Sequence, residues 1–308
     1  MTSEPPPDAE PATPEAPNLP PVPADADDTR GRHFKRLASH RLTLIGGGIV
    51  VLAVLLVAGT QVGWGIGAAG AAVTLLVIAL GVFLAAGSAA SDDFFTAYAD
   101  GRGLVRIDGA TSLPPVTPLL SRGDKRYAEQ RFNGVLPGGL DGSLCLYTYE
   151  DTSTDSDGNR DTTYVHFTIV LTQLPATAPM IQELYCQRRV GFRFMDSAED
   201  VFRKRQRVEQ ESAAVDKKYE IFIGGNDDMS RARQILSPTF LVWLESHSPE
   251  AYAFELVAGS LVCNVKGHKK SSAELDTICQ ASAAVARRLS DEAAEVIQPP
   301  QQPGPPPA

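Results

Sequence analysis

Charge is missing from one long stretch of this chain. From Leu42 to Ser91 there is no Asp, Glu, Lys, Arg or His, a run of 50 residues. A helix lying at a water interface needs a polar face, and this run has none to offer. It is also too long for a single bilayer span of about 20 residues. It divides at Thr60-Gln61-Val62-Gly63-Trp64-Gly65, where turn residues and polar groups gather. Two transmembrane helices are therefore expected, at 42–59 and 66–87, with Trp64 at the membrane interface. The spacing Gly65, Gly67, Gly70 matches the dinucleotide fingerprint G-x-G-x-x-G, and Asp92 and Asp93 lie near the distance of its ribose-binding acid. That fingerprint must open an amphipathic helix. From Ile66 to Ala86 the only polar side chain is Thr74, so the glycines belong to a membrane hairpin. Small residues there let helices approach closely, which allows a homo-oligomer through the spans.

Cysteine is scarce too. Residues 145, 186, 263 and 279 are the only four, with no C-x-x-C. This fits a reducing compartment and argues against a disulfide framework or a zinc site. Each is expected to be a small buried hydrophobe. Catalytic signatures are absent as well: no G-x-S-x-G, H-E-x-x-H or P-loop occurs. The chain is accordingly not read as an enzyme, and no cofactor or metal is expected.

The flanks of the apolar run set its orientation. Arg30, Arg32, Lys35, Arg36 and Arg41 precede it without an acid, and the turn at 60–65 is uncharged. Basic residues stay on the cytoplasmic side of a span. Both termini are thus expected in the cytoplasm, with the chain in the plasma (inner) membrane. The small-residue stretch Leu84 to Ala90 resembles a signal-cleavage site, but span two lacks the basic segment a signal needs just before its apolar core. A retained anchor is the better reading.

Residues 1–29 hold nine prolines and seven acids but no base, and 298–308 is Pro- and Gln-rich. Such stretches bury too little apolar area to offset ordering their backbone. The organisation expected is a disordered acidic tail ending in a basic flank at 1–41, a hairpin at 42–91, a cytoplasmic domain at 92–297, and a Pro-rich tail at 298–308. Pro300-Gln301-Gln302-Pro303 is a formal PxxP, read as solvated tail. Of the net charge of −9, the acidic tail carries −7 and the flank +5, leaving −7 on the rest. That balance excludes a globally basic nucleic-acid binder.

Within 92–297 the fold class expected is α+β. GSLCLYTYED (142–151) and DTTYVHFTIVLTQL (161–174) read as a hairpin with a longish polar loop. AYAFELV and LVCNV, around Ala258-Gly259-Ser260, read as a tighter one. KRYAEQRFNGVL, APMIQELYCQRRV and KKYEIFIGG are further strand candidates. DDMSRARQIL and SPTFLVWLESH read as helices, the second capped by Ser237 with Pro238 at its first position. Ser271 and Glu274 form a capping box. Leu275, Ile278, Cys279, Val285, Ala286 and Leu289 then give one apolar face to a long helix ending near Val296. MDSAEDVFRKRQRV (195–208) also reads as a helix.

These segments resemble a group of uncharacterised bacterial proteins. YADGRGL (98–104), Pro118-Leu119-Leu120 before Arg122-Gly123-Asp124, GSLCLYTYE (142–150) and RARQILSPTFLVWLE (231–245) are similar to a two-span, membrane-anchored group whose cytoplasmic domain has no assigned function. The resemblance covers about 45–295 and implies topology and extent. It transfers no catalytic residue.

Three clusters invite chemistry. Asp155-Ser156-Asp157-Gly158-Asn159 has the look of a calcium-loop core, but Tyr164 falls where a bidentate Glu is required, so a turn is expected. His166 shares a strand face with Tyr164 and Thr168. With Tyr147 and Tyr149 on the neighbouring strand, it defines a candidate ligand face for an enzyme or small-ligand sensor. Arg188, Arg189, Arg193, Arg203, Lys204, Arg205 and Arg207, with interleaved phenylalanines, form a candidate contact for anionic lipid headgroups. Arg122-Gly123-Asp124 is read as a turn, and His247 and His268 as loop residues without a visible partner. Taken together, the sequence favours a membrane-anchored cytoplasmic scaffold or interaction domain with an unknown protein partner.

Overall fold

The computed structural model describes residues 24–25, 73–74, 89–189, 205–209 and 212–297. The expected spans lie outside these residues, apart from Val73 and Thr74, which are helical. Both tails lie outside as well, apart from Ala24 and Asp25. Within the described residues no helix is long and apolar enough to cross a membrane.

The described chain is an α+β domain, as its alternating and helical patterns predict. It begins with helix α1 at 89–102, then strand β1 (Val105–Ile107), the one-turn helix α2 (Pro118–Ser121), and strands β2 (Lys125–Leu136), β3 (Leu140–Thr154) and β4 (Arg160–Gln173). Next come β5 (Glu183–Arg188), β6 (Arg205–Arg207), α3 (Ala213–Lys218), β7 (Tyr219–Gly224), α4 (Met229–Ile235) and α5 (Pro238–His247). The hairpin β8 (Ala253–Val257) and β9 (Ser260–Lys266) precedes the long helix α6 (Ser272–Ile297). All nine strands join one antiparallel sheet in the order β1-β2-β3-β4-β9-β8-β5-β7-β6.

Alternation sorts the side chains of each strand onto two faces. One face carries Phe132, Leu144, Leu146, Val170, Leu184, Ile221, Phe254 and Leu261, and the helices cover it. Phe95 and Tyr98 of α1 pack on Phe132. Asp276 of α6 accepts from the Tyr98 hydroxyl at 3.0 Å and pairs with Arg102, so α1 and α6 are tied together. The apolar stripe predicted for α6 is buried along its length, and Ser282 fits within it by donating to the Ile278 carbonyl at 2.8 Å. The other face carries Cys145, Tyr147, Tyr149, Phe167, Ile169 and Val262, covered by Leu113, Leu119 and Leu120. The four cysteines are buried and unpaired.

Local chemistry explains the helix ends. Ser271 Oγ accepts from Glu274 N at 3.3 Å and donates to the Glu274 carboxylate at 3.0 Å, so Glu274 returns to the hydroxyl. The Ser272 amide, another orphan donor of the first turn, is met by the Ala24 carbonyl at 3.1 Å. Asp228 caps α4 through Ser230 N, while Ser237 makes no side-chain cap bond to α5.

Several expectations need correction. Arg205–Arg207 is an edge strand on β7, not the end of a helix over 195–208. Pairing wins because Arg205 stacks 3.9 Å from the Tyr185 ring centre and Gln206 donates to the carbonyls of Gly224, Gly225 and Asp227. Lys217 and Lys218 end helix α3 and do not begin β7. The β3–β4 connection is a tight turn, since pairing continues to Thr154 opposite Arg160. His247 closes α5 and is not in a loop.

Candidate functional site

The sheet register decides what surrounds His166. It lies opposite Thr148, and Tyr147 and Tyr149 lie opposite Phe167 and Val165. Both tyrosines therefore point to the other face, where they are buried against Leu119 and Phe167. Burial raises the Tyr147 hydroxyl above its ordinary range, and that hydroxyl donates to the Leu119 carbonyl at 3.3 Å. Tyr164 is exposed on the His166 face, two residues along the strand. The structure thus keeps His166 and Tyr164 on one face and separates Tyr147 and Tyr149 from them.

Two residues that sequence spacing did not connect take their place. The first is Glu129, the extra residue of a β-bulge, because register shifts between Ala128 and Gln130. Bulges re-aim a side chain, and this carboxylate comes to 3.9 Å from His166 Nδ1. The second is His268, carried by the loop between β9 and α6. Gly267 N donates to the His166 carbonyl at 2.7 Å, and Lys269 N donates to Thr168 Oγ1 at 2.8 Å, which clamps the loop to β4. The two imidazole rings stand 4.6 Å apart, and His268 Nδ1 lies 3.8 Å from Glu129 Oε2.

Thr148 sits at the centre. Its Oγ1 donates to Glu129 Oε1 at 2.8 Å and lies 2.8 Å from His166 Nδ1 and 3.3 Å from His268 Nε2. One hydroxyl hydrogen cannot serve three acceptors. With that hydrogen on Glu129, His166 Nδ1 donates to Thr148. His268 Nε2 lies 3.2 Å from the Tyr147 carbonyl, which only accepts, so Nε2 carries the proton. Neutral His268 then presents a bare Nδ1 lone pair toward Glu129. Burial lowers the His268 pKa and the Glu129 carboxylate opposes this, with His166 and Lys270 adding to the lowering. His268 is 11% exposed, whereas His166 and Glu129 are 45% and 41% exposed, so the cluster opens to solvent on one side.

The basic cluster is spent on internal partners as far as it is described. Arg189 pairs with Asp216 at 3.2 Å and Glu220 at 3.3 Å, and Arg207 pairs with Asp216 at 2.9 Å. Arg205 is 6% exposed and pairs with Glu183 at 3.2 Å. Arg188 stacks on Tyr219. Arg193, Arg203 and Lys204 lie outside the described residues.

The loop at 155–159 satisfies itself: Asp155 accepts from the amides of Asp157 and Asn159 and from the Asn159 side chain. The Asn159 side-chain bond is the main cause holding Asp155 below the usual carboxylate range. At Arg122-Gly123-Asp124, Gly123 has φ 83°, and the Asp124 amide and carboxylate bond the backbone of Glu150 and Thr152. Both segments are turns.

Sequence reading missed a second surface. Val208, Leu236, Pro238, Leu241 and Val242 line an open groove of about 540 Å³ beside α5, rimmed by Glu209, Ser212 and Arg233. Val242 is 58% exposed. An aliphatic on the outer side of a helix was the only signal in the sequence. No family model matches the chain, and no curated protein or solved structure proves similar to it.

Proposed function

We propose that this chain is a membrane-anchored interaction domain, held by a two-span hairpin at 42–91, with both termini in the cytoplasm. The 50 uncharged residues and the basic flank support the anchor. The resemblance to two-span bacterial proteins agrees with it. The observation that carries the interaction reading is the apolar groove beside α5, where Val242 is 58% exposed. Exposed apolar surface rimmed by polar groups marks a protein contact. The rim offers one acid and one base, so the partner that fits is an amphipathic protein segment with aliphatic side chains inward and both charges at its edges.

Topology is tested with single cysteines at Val62 and Asp157 and a membrane-impermeant thiol reagent on intact cells. The native cysteines need no removal, since all four are buried and burial pushes Cys145 and Cys279 up to about 12. Position 62 labels and exposed position 157 labels only after lysis. Labelling of 157 in intact cells sinks the cytoplasmic assignment.

The groove is tested in the same cells with a photo-crosslinking amino acid at Val242 and, as control, at Asp157. A discrete adduct forms from 242 and not from 157. Its absence from 242, or equal adducts from both sites, removes the support for an interaction domain.

The small-ligand sensor reading has one specific observation in its favour, the convergence of Glu129 and His268 on His166.

A further inference from the structure

We propose that Glu129, His166 and His268 bind a divalent transition-metal ion of the zinc class. Three donor atoms from three separate segments, the β2 bulge, strand β4 and the β9–α6 loop, lie within 4.8 Å of one another. Two imidazoles and one carboxylate are the ligand set that zinc and its neighbours take, whereas calcium and magnesium prefer oxygen alone. In tetrahedral zinc sites the bond lengths of about 2.0–2.2 Å place ligand atoms about 3.4 Å apart. His166 and His268 approach different oxygens of Glu129, at 3.9 and 3.8 Å, so metal binding draws the three groups together by up to about 1.4 Å.

The protons also favour a cation. The cluster holds more lone pairs than hydrogens, and one hydroxyl now bridges all three groups. A ligating histidine commonly donates its other nitrogen to a backbone carbonyl, which fixes the ring and aims the free lone pair. His268 has that arrangement through the Tyr147 carbonyl. His166 frees its Nδ1 lone pair by moving that proton to Nε2, a neutral tautomer change that releases nothing. The acid supplies the negative charge that lets a dication sit near Lys270. The exposed edges of His166 and Glu129 leave the remaining coordination position open to water or an outside ligand. Spacing in the sequence pointed to no metal, because the ligands come from segments far apart along the chain.

The test uses the full chain in detergent, freed of metal by a chelator and titrated with Zn²⁺ alone by calorimetry. One saturable site is expected. Glu129→Gln, His166→Asn and His268→Gln each weaken it at least tenfold, while His247→Asn leaves it unchanged. A second measurement needs no variant: Zn²⁺ shields His166 of the unaltered protein from carbethoxylation, read by peptide mass spectrometry. No saturable binding, binding indifferent to all three substitutions, or unshielded His166 overturns the proposal. The three groups would then share a proton instead of a metal.

Discussion

Glu255→Gln will stabilise the domain at pH 8 by about 3 kcal/mol and leave it almost unchanged at pH 4. Glu255 lies on β8 with no exposed surface. Both carboxylate oxygens accept from the Leu119 amide, at 3.2 and 3.1 Å. Burial is the main force on it and raises its pKa from 4.5 to about 7, against the opposing pull of the Thr117 side chain, the Leu119 amide and Arg205. The sign follows from the folded state holding the proton more tightly than the unfolded state. Below pH 4.5 both states are protonated and nothing is lost. Between about pH 4.5 and 7 the unfolded state gives up the proton while the folded state keeps it, so stability falls, and it levels off above about 7, where the buried group ionises. A shift of about 2.5 units at about 1.36 kcal/mol each gives the figure. Glutamine keeps an acceptor for Leu119 and removes the titration. Guanidinium unfolding of the detergent-solubilised chain, followed by far-UV circular dichroism at pH 4, 6 and 8, checks this. Parallel curves for the two proteins across that range would refute it.

Phe254→Ala will cost about 3–5 kcal/mol, the range for emptying a buried aromatic site. Phe254 is fully buried at the middle of the helix-covered face, opposite Cys186 on β5 and Cys263 on β9. Its ring lies 6.2 Å from that of Phe240, so it is one contact through which α5 sits on the sheet. The backbone of β8 is fixed by ladders on both sides and cannot collapse into the space. Val242→Ala, on the outer side of the same helix, should cost under about 0.5 kcal/mol. The contrast separates the residues that hold α5 in place from the one it presents outward. A Phe254→Ala penalty as small as that of Val242→Ala would contradict the packing described.

Local patterns made much of this fold legible. Alternating β-branched and aromatic residues marked β2, β3 and β4. Ala258-Gly259 marked the β8–β9 turn, where both residues have positive φ. Pro238 marked the start of α5, and the 3.6-residue stripe from Leu275 to Leu289 marked α6. Each signal lies within one element, where sequence distance and spatial distance agree. Strand β6 was not legible because three residues of an arginine-rich stretch carry no strand pattern. What holds them is the Tyr185 ring and the edge of β7.

The histidine site divides in the same way. Alternation along β4 put His166 and Tyr164 on one face. It could not say which residues of β3 share that face, since the register across strands follows from pairing along the whole hairpin. The pairing of Thr148 with His166 sends Tyr147 and Tyr149 to the opposite side. The bulge at Ala128/Gln130 and the clamp of Gly267 and Lys269 on β4 then deliver Glu129 and His268. The sequence by itself determined helices α4 to α6, strands β2 to β5 and β7 to β9, the apolar run and the charge around it, because these depend on near neighbours. Only the tertiary structure decided which carboxylate and which second imidazole meet His166, because contacts between distant segments are set by strand register and a single inserted residue.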